Sequence, residues 1–433
     1  MNQLSLANGL HVLTEPTCDQ GVTIALFFKG GAAYERPDEI GIFHMIEHLF
    51  FRKLDDLDWK TLFFEVDKIG AVFNAATYRD FIKFEITIKN NKFFEKAWKI
   101  LFRVLSDFEW TATDLIAEKA VVKNQIRLKG YDFFGVVERL YFDIPAFDQT
   151  IMGTQSDIES LSLSQINLYK KAYFNCNNCC VVIAGAVSAK DLDACIAACA
   201  AINNAAPPIQ QLKLIPRYAF SRKLQQDVLE TTTNAICDVC LSFDIDLHAC
   251  KNIGEIQMLA SIIAGGDASR LNEKLVYEHC LTDAVTAVFD AYFDIGRLVI
   301  SYEVEAEHLK KSLNLVFTEL RQLKFTLSEH DILSNRTFFT ENLMHLSSKE
   351  LAMHLGWFNF ILQHPYDLHR LIAANQTIDT AVMQRVAQRI LRADNLFIYL
   401  SYNQDYGSRE QQLHRLQQLR RQLDVAPADT GAN

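Results

Sequence analysis

Two histidines and a glutamate in the segment GIFHMIEHLFFRK, residues 41–53, have the types and spacing of a metal site. Residues four apart on an α-helix lie on one face about one turn apart, so His44 and His48 can direct two imidazole nitrogens at one ion. Glu47 follows His44 by three residues, and its carboxylate lies beside that face. There it can accept a proton from a water molecule that a metal activates. The segment therefore predicts a helix that carries two metal ligands and a general base.

The alternative interpretation is an ordinary amphipathic helix that carries two incidental histidines. The HxxEH order reverses the commoner HExxH and is the signature of the inverted zinc peptidases. Short motifs also match by chance, and a zinc site needs a third ligand from elsewhere in the chain. The motif alone therefore only suggests a metallopeptidase, and the rest of the sequence has to supply the other parts.

The elements that would position these residues alternate between strands and helices in the first half of the chain. The pair Asn8-Gly9 predicts a hairpin turn, and the apolar segment 22–30 predicts a buried strand. Asp38 and Glu39 are expected to open the motif helix. The other predicted elements are a helix closed by Gly70, a strand pair over 71–88, helices over 91–108 and 111–130, a strand over 179–187 and a helix over 189–202.

A Pro-Pro pair divides the chain into two parts of similar plan. The pair lies in NNAAPPIQQ, residues 203–211, where small and polar residues are typical of a linker. The second part again alternates strands and helices, but its helix EIQMLASIIAGG, residues 255–266, contains no histidine. We therefore expect two homologous domains, residues 1–205 with the metal motif and residues 206–433 without it.

The composition argues against several functions. A formal net charge of −10 disfavours nucleic-acid binding, which needs a basic face. Charged residues make up 22% and hydrophobic residues 49%, which is typical of a globular protein. No apolar run is long enough to cross a bilayer, and the first residues lack the basic and apolar regions of a signal peptide. We expect no nucleic-acid or membrane partner and a cytoplasmic location.

Ten cysteines raise the question of a second metal site or a redox function. The CxxC spacings lie in CNNCC, residues 176–180, and CDVC, residues 237–240. Both segments run into strand-like sequence, whereas a zinc ribbon places such pairs in short loops. Cysteine is often buried as a small apolar residue. Structural cysteines are the preferred interpretation, and reduced thiols agree with a cytoplasmic location.

The wider sequence resembles the pitrilysin- and insulinase-like zinc peptidases, a family that includes the mitochondrial processing peptidase. The resemblance covers nearly the whole chain. It is carried by LANGLHVL in the first strands, GIFHMIEHLFF in the zinc helix, IGAVFNAATYRDFIKFEI in the substrate segment, AEKAVVKNQI in the downstream acidic helix, YFNCNNCCVVIAG in a strand that ends at a glycine, and AGGDASRLNEKLVYEHCLTDAV in the second domain. It implies an α+β fold of two homologous α/β-sandwich domains, each a mostly antiparallel sheet covered by helices.

The resemblance also implies roles for single residues. His44 and His48 match the zinc ligands of the family, and Glu47 matches its general base. Glu118 matches a supporting glutamate of the catalytic site that precedes the last zinc ligand by seven residues, which places that ligand at residue 125. Zinc is therefore the implied cofactor.

Residue 125 departs from the family pattern because it is Gln and not Glu. A neutral amide oxygen is a weaker zinc ligand than a carboxylate, since zinc in proteins prefers Cys, His and carboxylate. We expect His44, His48 and Gln125 to surround one metal position that binds zinc weakly. Two alternatives stay open: Gln125 as a mere hydrogen-bonding helix residue, and the whole chain as a metal-poor pseudopeptidase that binds a peptide or partner without cutting it.

The segment VFNAATY, residues 72–78, is expected to form a sheet edge near the metal helix. A peptide would add to this edge as an extra strand through main-chain hydrogen bonds, with Asn74 and Ala75 as its contacts. The alternative is an ordinary edge strand that Arg79 and Asp80 protect. Since the family fold encloses its substrates in a chamber, small unfolded peptides are the expected substrates.

A second departure concerns the part of the second domain that grips the substrate. Self-sufficient members of the family place an Arg and a Tyr seven residues apart after the SRL helix, and Val276 and Asp283 occupy those places here. Neither side chain can hold a peptide backbone near the scissile bond. The resemblance therefore implies that this chain is the metal-carrying subunit of an endopeptidase. It also implies a heterodimer, in which a second subunit of the same fold supplies the Arg and the Tyr.

Overall fold

The structure, a computed structural model, describes residues 1–17, 21–130, 132–142, 147–204, 227–250, 252–292 and 295–426. Within these ranges the chain forms two compact units. The first contains 1–139, 147–204 and 346–367, and the second contains 140–142 and the other described residues. The predicted boundary at residues 205 and 206 lies outside the described residues, as does most of the predicted linker 203–211. That division of the chain therefore stays a prediction.

The helices of the described chain fall into both units. Along the sequence they are α1 (Ile42–Arg52), α2 (Trp59–Lys68), α3 (Phe94–Leu101), α4 (Ala112–Leu128), α5 (Phe133–Tyr141), α6 (Gln155–Ser160), α7 (Leu163–Tyr173), α8 (Ala189–Ala201), α9 (Ile253–Ala264), α10 (Leu309–Phe325), α11 (Glu329–Met344), α12 (Ser348–Gly356), α13 (Leu368–Asn375), α14 (Thr380–Ile390) and α15 (Arg409–Leu423). None of them is long and apolar enough to cross a membrane, a result that holds for the residues described above.

The first unit is built on a six-stranded sheet. The strands of this unit are β1 (Asn2–Ser5), β2 (His11–Pro16), β3 (Val22–Lys29), the two-residue pair β4 (Lys53–Leu54) and β5 (Leu57–Asp58), β6 (Ala71–Thr77), β7 (Phe81–Ile88) and β8 (Cys179–Gly185). The order across the large sheet is β1-β2-β8-β3-β7-β6. Strands β2 and β8 run parallel, and the other neighbouring pairs are antiparallel. Strand β6 forms one edge of this sheet.

The central strands of this sheet are buried on both faces. In β3 the residues Val22, Ile24, Leu26 and Phe28 join the main hydrophobic core, which also contains the apolar residues of α1. Because successive side chains of a strand point to opposite faces, the intervening residues of β3 face the other side of the sheet. Both sets are buried up to Phe28, which explains why the sequence of β3 is mostly apolar and does not alternate strictly.

Helix α12 covers the second face of this sheet, although it lies far along the chain. The Thr23 hydroxyl is 2.9 Å from the hydroxyl of Ser348, and the Lys349 ammonium lies 2.8 Å from a carboxylate oxygen of Glu85. Gly356 packs directly on Phe27, since a Cβ atom on this glycine would lie 2.3 Å from the ring. The first unit therefore includes a segment that the predicted boundary assigned to the second domain.

The second unit repeats the plan of the first. Its strands are β9 (Val228–Thr232), β10 (Ile236–Asp246), β11 (Val285–Tyr292), β12 (Ile295–Glu305) and β13 (Leu396–Asn403), in the order β11-β12-β10-β13-β9. The pair β9 and β13 is parallel and the others are antiparallel. Strands β2, β3, β6, β7 and β8 have the same order and directions in the first sheet. This correspondence confirms the predicted fold of two homologous domains with mostly antiparallel sheets covered by helices.

The cysteines occupy the positions expected of core residues. Each cysteine that the structure describes is a free thiol, and all of these except Cys280 are buried. Among the described His, Cys, Asp and Glu side chains, the one cluster with three ligand atoms close together is Glu305, Glu307 and His308, which contains no cysteine. These positions agree with structural cysteines and not with a zinc ribbon.

Candidate metal centre

The metal motif lies on α1, a helix that is buried along most of its length. Phe43, Met45, Ile46 and Leu49 pack into the core of the first unit. His44 is also mostly buried, while Glu47 and His48 are partly exposed. The helix therefore presents one short polar edge, and that edge carries the three residues of the HxxEH motif.

The three predicted zinc ligands lie together. The Nε2 atoms of His44 and His48 lie 3.1 Å and 3.2 Å from the same atom, Oε1 of Gln125. Gln125 comes from α4, whose start is fixed by a capping box between Thr111 and Asp114. The contact therefore joins two helices of the first unit that are far apart in sequence.

The distances from the two imidazole nitrogens to the Gln125 oxygen fit a shared zinc ion. Ligands about 2.0–2.1 Å from a tetrahedral zinc are separated by roughly 3.3 Å, so atoms at such distances can share one ion. Two imidazole nitrogens and an amide oxygen supply no negative charge, whereas zinc sites of this kind usually include a thiolate or carboxylate. The position fits zinc in its geometry, with a ligand set that neutralises the ion less than usual.

Glu118 does not point at the shared position. Its Oε2 atom lies 3.4 Å from Nδ1 of His48, and its Oε1 atom lies 3.9 Å from the guanidinium of Arg52. A carboxylate at the far nitrogen of a ligating histidine fixes the orientation and tautomer of the ring. Glu118 and Gln125 are two helical turns apart on one face of α4. This helix therefore carries both the candidate ligand Gln125 and the carboxylate that orients His48.

Glu47 lies beside the two histidines and also contacts the sheet. Its Oε2 atom is 3.8 Å from Nδ1 of His44 and accepts a hydrogen bond of 2.5 Å from the Thr77 hydroxyl at the end of β6. Burial raises the pKa of Glu47, but the nearby His44, the hydrogen bond from Thr77 and the nearby charge of His48 outweigh burial and lower it overall. The side chain is therefore an ionised carboxylate at neutral pH, as a general base must be.

The predicted substrate segment forms the edge strand β6. The side chain of Asn74 is exposed, whereas that of Ala75 is buried, so Ala75 can contact a peptide only through its main chain. Arg79 and Asp80 are both buried in the turn after β6, and Arg79 donates a hydrogen bond to the carbonyl of Gln149. These two side chains therefore do not cover the edge of β6, and the pairing of this edge with a peptide stays a prediction.

The start of α1 differs from the prediction. The helix begins at Ile42 after Gly41, which has a φ of 80°, and not at Asp38 or Glu39. The carboxyl group of Glu35 accepts hydrogen bonds from the main-chain N–H groups of Gly41 and Phe43, at 2.7 Å and 3.0 Å. Burial raises the pKa of Glu35 to about 8, although these two hydrogen bonds oppose the shift. Glu35 therefore caps the metal helix from the preceding loop.

Two residues of this centre received no role from the sequence. Thr77 lies within the quoted substrate segment, but its contact with Glu47 depends on how β6 packs against α1. Glu35 lies seven residues before the first helical residue, outside the spacing of any local capping motif. The other two residues of interest, Val276 and Asp283, belong to the second unit, where Val276 lies in the π-helix Asn272–Glu278 and Asp283 precedes β11.

Family comparisons agree with this fold. The sequence profile described as Insulinase (Peptidase family M16) matches residues 11–128, and the profile described as Peptidase M16 inactive domain matches residues 160–336. Together they cover well over half of the chain. The first profile includes the whole of the candidate metal centre.

Named relatives and a solved structure extend the comparison. A Rickettsia felis protein named "Uncharacterized zinc protease" is 24% identical over 357 residues, which are 80% of this chain and 84% of that protein. A Caenorhabditis elegans protein named "Mitochondrial-processing peptidase subunit beta" is 26% identical over 188 residues, 42% of this chain and 41% of that protein. The crystal structure of a protease from Helicobacter pylori covers 93% of this chain and 99% of its own, with a TM-score of 0.77 and 18% identity, and so shares the fold.

The fold and the matched profiles define a two-domain peptidase of the M16 type. The chain belongs to the insulinase-like peptidase family M16, which confirms the resemblance noted from its motifs. The family is zinc-dependent, and relatives of this chain carry the name zinc protease.

Proposed function

We propose that this chain is the metal-carrying subunit of a zinc endopeptidase that cleaves small unfolded peptides, in their maturation or degradation. The observation that carries the proposal is the convergence of His44, His48 and Gln125 on one position, with Glu47 beside them. An ordinary amphipathic helix gives no reason for two histidines to meet the same side-chain oxygen of a distant helix.

His44, His48 and Gln125 are the residues that would hold the ion. Bound zinc supplies a Lewis acid that polarises a peptide carbonyl and makes water more acidic. The protein holds the ligands in place through Glu118, which contacts the far side of His48. Gln125 weakens zinc binding because it contributes no charge.

Glu47 acts as the general base in this proposal. Its carboxyl group lies beside His44 and accepts a hydrogen bond from Thr77, so an ionised carboxylate next to the metal position can take a proton from the attacking water. The same group can then pass that proton to the amine that leaves when the peptide bond breaks. General acid–base catalysis of this kind typically contributes about 10²–10⁴-fold to the rate.

The peptide lies along β6 in this proposal. The edge of a sheet offers main-chain donors and acceptors that a peptide strand can pair with. Asn74 and Ala75 lie on this strand, which ends at Thr77 next to Glu47. A peptide paired with β6 is thereby brought towards the base, and positioning of this kind can lower the barrier by several kcal/mol.

A second subunit completes the active site in this proposal. Val276 and Asp283 stand where the family has the Arg and Tyr that hold the substrate, and neither can replace them. The similarity to proteins named as a processing-peptidase subunit supports an assembly of two different chains. A homodimer would repeat the missing residues, so the expected partner has the same fold and carries the Arg and the Tyr. The cytoplasmic location also stays a prediction.

The second candidate function is a pseudopeptidase that holds a peptide or a partner without cutting it. Gln125 is the observation that favours it, because the two histidines already have a hydrogen-bond acceptor in its amide oxygen. The two functions differ in peptide cleavage. A peptidase cleaves peptides and needs Glu47 as its base, whereas a pseudopeptidase binds peptides and does not cleave them.

The test compares zinc content and peptide cleavage in the Gln125→Glu and Glu47→Gln variants, with the partner chain present. Gln125→Glu is expected to raise zinc affinity and cleavage together, and Glu47→Gln is expected to abolish cleavage while zinc still binds. Asn124→Asp is the matched control, since it adds the same charge on the neighbouring residue of α4. Unchanged zinc affinity in Gln125→Glu would show that residue 125 is not a ligand, and cleavage that survives Glu47→Gln would rule out the proposed base.

A further inference from the structure

A single hydroxyl connects the edge strand to the carboxylate of Glu47. Thr77 is the last residue of β6, and its Oγ1 atom donates the 2.5 Å hydrogen bond to Oε2 of Glu47. The His44 contact of 3.8 Å also involves Oε2. Both contacts therefore engage the same oxygen, and the other oxygen, Oε1, is the one left to face a water molecule.

The main chain on the C-terminal side of Thr77 is tightly held. The N–H groups of Ala32 and Ala33 donate to the carbonyls of Tyr78 and Arg79, at 3.1 Å and 2.8 Å. Gly31 has a φ of 106°, and a Cβ atom there would lie 2.4 Å from the carbonyl oxygen of Tyr78. This close approach fixes the turn that follows β6, so Thr77 presents its hydroxyl from a rigid support.

The side chain of Glu47 has two polar contacts, with His44 at 3.8 Å and with the Thr77 hydroxyl at 2.5 Å. Glu47 is partly exposed on the polar edge of α1, and a free glutamate side chain has several accessible rotamers. A hydrogen bond to a charged group is stronger than one between neutral groups, so the Thr77 contact is able to select one of these rotamers.

We propose that Thr77 is a positioning residue that fixes the orientation of the general base Glu47. The inference rests on the proposed function and adds a positioning residue to the same site. With Oε2 of Glu47 engaged by the Thr77 hydroxyl, the other oxygen, Oε1, is left to accept a proton from the water.

The experiment compares Thr77→Val, which has nearly the same shape without the hydroxyl, with Thr77→Ser, which keeps the hydroxyl. Thr77→Val is expected to lower kcat about tenfold to a hundredfold, the effect of losing one hydrogen bond to a charged group, with KM and zinc content changed less than about twofold. Thr77→Ser is expected to restore most of kcat. Because a smaller folded fraction would also lower the apparent kcat at unchanged KM, kcat is calculated per folded, zinc-loaded molecule.

Thr87→Val is the matched control, because it removes a hydroxyl from β7 that contacts Thr23 and not the metal centre. Its kcat is expected to equal that of the unaltered protein. Equal kcat values for Thr77→Val and this control would overturn the inference.

A second measurement does not depend on cleavage. A double-mutant cycle of Thr77→Val and Glu47→Ala, followed by thermal unfolding, measures the interaction between the two side chains. The two shifts in melting temperature are expected to be non-additive. Additive shifts would overturn the inference even in a protein that cleaves nothing, whereas a lack of cleavage with a clear coupling would overturn only the proposed function.

Discussion

At the scale of single residues, the weak zinc binding expected of the candidate centre follows from one neutral amide oxygen. Gln125 offers both histidines an acceptor, but it contributes no charge to an ion at the same position. A centre made of His44, His48 and Gln125 therefore depends more than usual on the residues around it. Glu118 and Glu35 are the two carboxyl groups that support these ligands, one through His48 and the other through the start of α1.

Replacing Glu118 by Ala should lower zinc affinity about 10–100-fold, the usual effect of removing a group that orients a ligating histidine. The reason is that His48 loses the carboxylate 3.4 Å from its Nδ1 atom. Zinc affinity is measured by competition with a chromogenic chelator. Glu95→Ala, at an exposed position of α3, is the control and should leave the affinity unchanged. An equal affinity in the two variants would contradict the role assigned to Glu118.

Glu35 should make the first unit less stable as the pH rises from about 4.5 to about 8. Its pKa in the folded protein is raised to about 8 from an ordinary value of 4.5, so the folded state binds the proton more tightly than the unfolded state. The stabilisation that protonated Glu35 gives the folded state is complete at pH values below the ordinary pKa of 4.5. It is lost as the pH rises through the folded-state pKa of about 8. Glu35→Gln cannot titrate and should lack this loss.

The measurement is the melting temperature of the unaltered protein and of Glu35→Gln across this pH range. The difference in melting temperature should move in favour of the variant as the pH rises. A constant difference would contradict the raised pKa, because all other groups are common to both proteins.

At the scale of elements, sequence patterns predicted well what depends on local spacing. Residues four apart identify the face of α1, and Gly70, with a φ of 63°, closes α2 as expected. Gln125 lies 77 residues beyond His48, and only the family resemblance could point to it. The contacts of Thr77 and Glu35 arise from packing between elements. The position of α12 on the first sheet also depends on packing, so no local pattern reveals it.

Proline at Ala75 should greatly weaken peptide binding to β6 without unfolding the first unit. The substitution removes a main-chain donor from the edge strand, where pairing with a peptide needs it. Affinity for a fluorescent peptide is measured by anisotropy in the Glu47→Gln background, so that cleavage does not interfere. Ala75→Ser keeps the donor and is the control. Normal peptide affinity in the proline variant would count against binding by strand addition.

An alanine at Gly356 should destabilise the first unit by about 1–3 kcal/mol, the usual cost of forcing an extra methyl group into a packed core. The added Cβ atom would lie 2.3 Å from the ring of Phe27, so α12 or β3 has to shift. Chemical denaturation measures the change. Gly130→Ala is the matched control, since a Cβ atom there has no neighbour within 4 Å. Equal stability of the two variants would show that α12 does not pack closely on β3.

At the scale of the whole molecule, the missing Arg and Tyr predict that this chain does not cleave peptides alone. Even the Gln125→Glu variant should be nearly inactive by itself, and cleavage should appear when a same-fold partner with the Arg and the Tyr is added. Replacing that Arg of the partner by Ala should remove the activity again. The assay is cleavage of an unfolded peptide by each chain and by their mixture. Robust cleavage by the lone Gln125→Glu chain would end the heterodimer hypothesis.

Helix α12 has a consequence for how the protein is made. One face of the first sheet, with Thr23, Phe27 and Glu85, is covered by residues 348–356. A ribosome that has just produced the last residues of α8 must therefore continue for roughly 10–30 s, at about 5–20 residues per second, before this cover leaves the exit tunnel. During that interval the nascent domain that carries the metal motif exposes Phe27 and the buried polar groups around it, and chaperones bind such transiently exposed surface in growing chains.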